Sequence, residues 1–157
     1  MVTVILSRPW LLRRLMNLWP PFWGAGIRLE HISRDYSYCR ASLVLRWWNK
    51  NANGTQYGGS LFSMTDPLYS MMLMATLGPG YQVWDRASRI TFLKPGRGRV
   101  YAEVYLNRDR LDEIRRSTAG GGKYFPEFRI NIVNESGELV AEVERTLYVR
   151  KKAANKR

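Results

Sequence analysis

The period of apolar and polar positions changes several times along this chain, and each change marks an element. Over residues 9–19, Leu11, Leu12, Leu15, Leu18 and Trp19 recur at helical spacing against Arg13, Arg14 and Asn17, the pattern of an amphipathic helix. Ser7 reads as its N-cap, Pro9 sits in its first turn, and Pro20-Pro21 is expected to end it. From residue 27 the period falls to two. Residues 27–33 and 36–47 alternate as strands, for example Ala41, Leu43 and Leu45 against Ser42, Val44 and Arg46, and Ser33-Arg34-Asp35 is the turn of a hairpin. Leu68, Tyr69, Met71, Met72, Leu73 and Ala75 then make a helix that is apolar nearly all round, closed near Gly78-Pro79-Gly80; such a helix is buried. Four long segments rich in β-branched and aromatic residues follow, at 81–93, 99–107, 124–134 and 139–150. They are expected to meander as antiparallel strands.

The order is helix, two strands, buried helix, four strands. A single sheet wrapped around one central helix hides both the helix's apolar surface and the sheet's inner face, an α+β arrangement. It divides the chain into an N-terminal amphipathic helix and Pro-rich turn (1–25), one domain (26–150) and a basic tail (151–157) read as a solvated end.

Composition narrows the chemistry. The chain has 157 residues, 45% apolar and 13% aromatic, enough for a real core. One cysteine, Cys39, excludes an internal disulfide, and one histidine, His31, in an ordinary strand pattern, leaves no Cys/His cluster for a metal and no evident Ser-His or Cys-His nucleophile. No metal or resident cofactor is expected. The net charge of +12 implies attraction to phosphate, whether on nucleic acid, a membrane surface or a carrier such as coenzyme A. No RNA-binding aromatic motif or zinc-finger spacing accompanies it, so nucleic acid is not an expected partner. Arg8, Pro9, Arg13 and Arg14 interrupt the first apolar run well short of the ~20 residues of a membrane span. The N-terminal helix is expected to pack on the domain, with an interfacial membrane helix as the alternative, and the cytoplasm is the expected compartment.

The candidate chemistry sits in residues 51–66, Asn-Ala-Asn-Gly-Thr-Gln-Tyr-Gly-Gly-Ser-Leu-Phe-Ser-Met-Thr-Asp. Gly58-Gly59 before Ser60 reads as a turn opening a helix, whose N-terminus offers free N–H groups and a positive dipole end to an oxygen. That is the physics of an oxyanion hole. Asp66 is either a water-activating carboxylate or, because Pro67 follows it, an ordinary N-cap with Pro at N1.

The spaced pattern Asn51-x-x-Gly54-x-x-Tyr57-Gly58-Gly59-x-x-Phe62-x-x-x-Asp66 resembles the Asn-x-x-Gly-x-x-His-Gly-Gly...Asp signature of hotdog-fold acyl-CoA thioesterases of the phenylacetate-pathway kind. Ile90 to Pro95 is similar to the strand and Pro-turn after the central helix of that fold. Gly54-Thr55, Asp66-Pro67 and Pro95-Gly96-Arg97-Gly98 look closest to a branch catalogued as a domain of unknown function. The resemblance implies a hotdog fold, an acyl-CoA or acyl-carrier thioester as substrate, and coenzyme A present only as part of it. It implies N–H donors at Gly58 and Gly59, a loop steadied by Asn51, Asp66 acting on water, and Asp85 near the attacking water. Tyr57 stands where the histidine is usual.

Two close carboxylates would raise one pKa and favour a shared proton. Arg89, Lys94, Arg97 and Arg99, around the Pro95-Gly96 turn, fall where hotdog enzymes commonly receive coenzyme A phosphates, or else form a solvated basic loop. Asp66 lies seven residues past Gly59, ~10 Å along a helix, so one carbonyl can meet both only across an antiparallel pair of subunits. A homodimer, or a dimer of dimers, is expected. A non-catalytic acyl- or lipid-binding protein with the same pocket is the second reading.

Overall fold

The computed structural model describes residues 5–153. The remainder of the expected basic tail, 154–157, lies outside the described residues. The helices are α1 (Pro9–Leu18), α2 (Pro20–Ala25), α3 (Gly58–Thr65), α4 (Leu68–Leu77) and α5 (Arg108–Thr118). The strands are β1 (Ile27–Ile32), β2 (Tyr38–Val44), β3 (Tyr81–Phe92), β4 (Arg99–Tyr105), β5 (Lys123–Tyr124), β6 (Glu127–Asn134) and β7 (Leu139–Lys151). The strands form one antiparallel sheet in the order β1-β2-β4-β6-β7-β3, with β5 on β7.

This is an α+β hotdog: the sheet wraps α3 and α4. Leu61, Met64, Leu68, Met72 and Leu73 from the helices are fully buried against Leu29, Leu43, Val100, Ala102, Ile130, Ile132, Val143 and Leu147 from the strands. Of the four later strands, β4, β6 and β7 meander as expected, but β3 does not lie beside β4. β3 crosses to the far edge and pairs with β7, and residues 93–98 carry the chain back over the end of the sheet. The crossing is pinned at Leu93 and Lys94 N–H to Val140 O, Gln56 N–H to Gly96 O and Leu45 N–H to Gly98 O. Three strand spacings are about 14 Å, and six residues reach roughly 20 Å, so the short Pro-Gly connection suffices.

Several local expectations change: Arg8, not Ser7, is the N-cap residue of α1, and the second strand of the hairpin runs from Tyr38 to Val44 rather than over 36–47. Pro20-Pro21 does not simply end a helix; it begins a second one, α2, because prolines at the first two helical positions lack only N–H groups that would be unpaired anyway. The strand expected over 124–134 breaks at Pro126, which cannot donate to a ladder, into β5 and β6. Lys151 and Lys152 do not fray: Lys151 ends β7, and Lys152 gives its N–H to Gly80 O and its Nζ to Pro79 O.

α1 packs on β1 through polar bonds beside the buried Leu12 and the partly buried Met16. The Asn17 amide accepts from Leu29 N–H at 2.7 Å and donates to Leu29 O at 3.0 Å, and Arg13 donates to Glu30 O at 2.9 Å. These bonds occupy the outer edge of β1, which would otherwise be an open template. Leu12 is buried there, but Leu15, Leu18 and Trp19, expected to pack on the domain, are exposed.

Candidate functional site

Residues 51–56 form a tight loop written by Asn51. Its Oδ1 accepts from the N–H groups of Asn53 and Thr55, and its Nδ2 donates to Thr55 Oγ1 and Gln56 O. Gln56, buried, clamps the loop to the sheet through Nε2 bonds to Gly98 O and Leu43 O, while its Oε1 has no partner among the described residues. Tyr57, extended, is the N-cap residue of α3 and supplies the carbonyl that receives Ser60 and Leu61 N–H. The N–H groups of Gly58 and Gly59 donate to nothing among the described residues. Both glycines lie against aromatic rings. A Cβ on Gly58 would stand 2.8 Å from the Phe92 ring, and one on Gly59 2.5 Å from the Tyr57 ring.

At the other end of α3, Asp66 keeps helical dihedrals (φ −54°, ψ −55°), and Pro67 follows at φ −86°, ψ −4° before α4. The two helices are one kinked central helix. Asp66 caps neither through its side chain. The carboxylate turns instead to Arg145, with Oδ1 3.0 Å from Nη1. Arg145 is the largest fully buried side chain, 1% exposed. The same Nη1 reaches Asp85 Oδ1 at 3.3 Å and Ser88 Oγ at 3.1 Å, and Nη2 donates to Phe62 O at 3.2 Å and Thr65 Oγ1 at 3.0 Å. Its guanidinium lies 4.9 Å from the Phe62 ring centroid. Nε is buried without a partner among the described residues.

The local fold explains how Asp85 and Ser88 reach one guanidinium. They are three apart, so in a regular strand they would face opposite sides. β3 shifts register between Asp85, opposite Leu147, and Ala87, opposite Thr146, and then Ser88 pairs with Arg145. Arg86 is thus an extra residue, and the bulge resets the alternation so that both side chains point inward. Burial raises the Asp85 carboxyl above its ordinary value of 3.8, and the charge of Asp66 adds to this while Arg145 opposes it. Asp66 is the accessible member of the cluster, with 61% of its side chain exposed and an Oδ2 that makes no hydrogen bond among the described residues. Such a carboxylate, oriented through one oxygen, can take a proton with the other.

The structure therefore brings Asp66 and Asp85 together on Arg145 and puts Asn51, Tyr57, Gly58 and Gly59 at the opposite end of α3. Two of the four basic candidates already have acidic partners. Lys94 pairs with Glu138 at 2.9 Å and Arg99 with Glu30 at 3.3 Å, while Arg89 and Arg97 are exposed and make no ion pair among the described residues. Sequence reasoning missed Arg145. Its signal was the lone charge in the inward series Ala141, Val143, Arg145, Leu147, Val149 of β7. Among the described residues, no group of three or more His, Cys, Asp or Glu side chains could hold a metal ion, and no helix is long and apolar enough to cross a membrane.

Solved structures share the architecture. A Pseudomonas aeruginosa protein of unknown function, described as a probable thioesterase, superposes with a TM-score of 0.83 at 20% identity, over 92% of this chain and 96% of that one. A Haemophilus influenzae thioesterase gives 0.68 at 17% identity, over 96% and 95% of the two chains. The E. coli PaaI protein from the phenylacetic acid degradation operon gives 0.63 at 20% identity, over 93% and 94%. At these identities the likeness is one of fold. No curated protein matches the sequence. A family model does, over residues 8–149, covering every element from α1 to the last residues of β7. The chain belongs to the family described as Domain of unknown function (DUF4442) and carries the hotdog fold.

Proposed function

We propose that this protein hydrolyses a thioester, of an acyl-CoA or acyl-carrier type, with Asp66 as the base and the N–H groups of Gly58 and Gly59 as donors to the carbonyl oxygen. The observation that carries the reading is the Asp66 carboxylate, fixed through one oxygen by a buried arginine and open to solvent through the other. Asp66 takes a proton from water as the water oxygen attacks the thioester carbon. The displaced carbonyl electrons collect on oxygen, where the two N–H groups and the helix dipole lower their energy. Collapse breaks the C–S bond, and the departing thiolate receives the proton from Asp66, leaving acid and free thiol.

The ~10 Å between Gly59 and Asp66 along α3 requires two subunits, with Gly59 of one protomer beside Asp66 of the other. β3 supports a homodimer because it ends the sheet with an open edge twelve residues long, whereas β1 is covered by α1. A dimer of dimers is compatible with the same contact. Asp85, with its raised pKa, can share the proton that Asp66 removes. Arg89 and Arg97, without acidic partners among the described residues, are the candidates for coenzyme A phosphates, ahead of Lys94 and Arg99, which are already paired.

One observation favours a second reading, a non-catalytic acyl-binding protein. The Tyr57 ring lies over Gly59, where the resembling enzymes carry a histidine. Free-thiol release from short, medium, long and aromatic acyl-CoA esters decides between them. Turnover that falls ~100-fold or more in Asp66→Asn, with fold and dimer intact, is the expected result. Saturable acyl binding with no turnover on any ester would overturn the catalytic assignment in favour of the binding protein.

A further inference from the structure

Five of the six tryptophans lie in residues 10–48, and all five are exposed: Trp10, Trp19, Trp23, Trp47 and Trp48. A solvated surface does not explain such a set, because exposed tryptophan is costly and a contiguous apolar patch marks an interaction site. Trp10, Arg14 and Leu18 follow one another at one-turn spacing on the outward side of α1. Trp19, the N-cap residue of α2, and Trp23 follow, one turn apart. Leu18 is 74% exposed, Trp23 72% and Trp47 80%. Trp23, Trp47 and Trp48 then line an open groove of about 810 Å³, together with Arg28, Arg46 and Arg99. Ser42, whose hydroxyl is buried without a partner among the described residues, is part of the same wall.

The charge on this face is predominantly positive. Residues 5–29 contain Arg8, Arg13, Arg14 and Arg28 and no acid, and residues 36–65 contain Arg40, Arg46 and Lys50 and no acid. Glu30 is already committed to Arg40 and Arg99, each at 3.3 Å. Arg14 and Arg46 lie over the rings of Trp10 and Trp48 rather than beside carboxylates. Arg28 makes no ion pair among the described residues.

We propose that this face is a docking surface for an anionic phospholipid bilayer. Tryptophans enter the headgroup region, and Arg14, Arg28 and Arg46 meet lipid phosphates. The polar attachment of α1 fits this role, because Asn17 and Arg13 fasten the helix to β1 and leave its Trp and Leu stripe outside. A second copy of the chain is disfavoured as occupant, since a two-fold contact through this face would set arginines against arginines. The inference stands apart from the proposed hydrolysis and is tested without turnover.

The test is co-sedimentation of the full chain with vesicles of phosphatidylcholine alone and of equal parts phosphatidylcholine and phosphatidylserine. Binding is expected to the anionic vesicles only and to weaken with salt. Arg28→Gln with Arg46→Gln should lower the partition at least ~10-fold, taking roughly five-fold for each basic residue lost near the surface. Trp23→Ala with Trp47→Ala should do the same, while Trp84→Ala, away from this face, should not. Because these side chains are exposed, unchanged circular dichroism is expected in every variant. Equal binding to both vesicles, no binding to either, or partition unaffected by the paired substitutions would overturn the proposal. So would concentration-dependent self-association that the tryptophan pair abolishes, which would assign the face to a second copy.

Discussion

Replacing Arg145 with methionine removes the guanidinium and keeps most of the stem. Thr65 Oγ1 loses its donor, and Phe62 O loses one donor but keeps the Thr65 hydroxyl, about 1 kcal/mol for each ordinary hydrogen bond lost. Asp85, partly buried, loses its only charge partner among the described residues. Asp66, mostly exposed, is rehydrated and contributes little. Breaking one side of a buried pair costs about 3–5 kcal/mol, and the exposed half of this cluster places the expected loss near ~3 kcal/mol, read as a lower urea midpoint at unchanged slope. The loss should depend on pH. A carboxyl whose folded pKa is raised holds its proton more tightly in the folded state, so stability rises as pH falls from above that raised pKa toward 3.8. Removing the one group that lowers the Asp85 pKa widens this window. Arg145→Met should therefore recover part of its deficit in mildly acid buffer, and Asp85→Asn should recover part of it at neutral pH. A deficit that is the same at both pH values and untouched by Asp85→Asn would refute the electrostatic account and leave only lost packing.

Two glycines with positive φ separate backbone strain from packing. Gly26→Ala should cost ~3 kcal/mol, because φ is +80° and the new Cβ would stand 2.5 Å from Asn49 Nδ2, which itself holds Ala25 O and Val44 O. Gly54→Ala, at φ +71° with open space around it, should cost only the ~1 kcal/mol of the left-handed conformation; thermal unfolding of the pair measures the difference, and equal costs would refute it. Cys39 is buried, and burial pushes its thiol up to about 12, so a thiol reagent should label it no faster than the protein unfolds. Labelling in native buffer at the rate of a free thiol would contradict that burial.

The hairpin, the apolar helix and the strands are legible in the sequence because each has a local cause in period or turn chemistry. The sheet order is not, since nothing within β3 records that its partner is β7, some sixty residues away. The bulge at Arg86 is equally silent, although it decides which side chains meet Arg145. Asp85 could be placed near Asp66 only through a family register; the guanidinium between them had to be seen. α1 misled for a different reason: its apolar stripe is real, and periodicity alone does not say whether a stripe faces the protein.

A side-chain amide helps set the length to which this sheet can grow. Asn17 occupies both the N–H and the C=O of Leu29 at one border, while β3 leaves the other unfilled. In the proposed dimer, association through β3 would stop at two copies, because each addition would end in a finished margin. With both borders open, the same strands could add chain after chain into a ribbon. Asn17, with Arg13 beside it on Glu30 O, is in that sense a terminator: its side chain copies the hydrogen bonds of a missing strand.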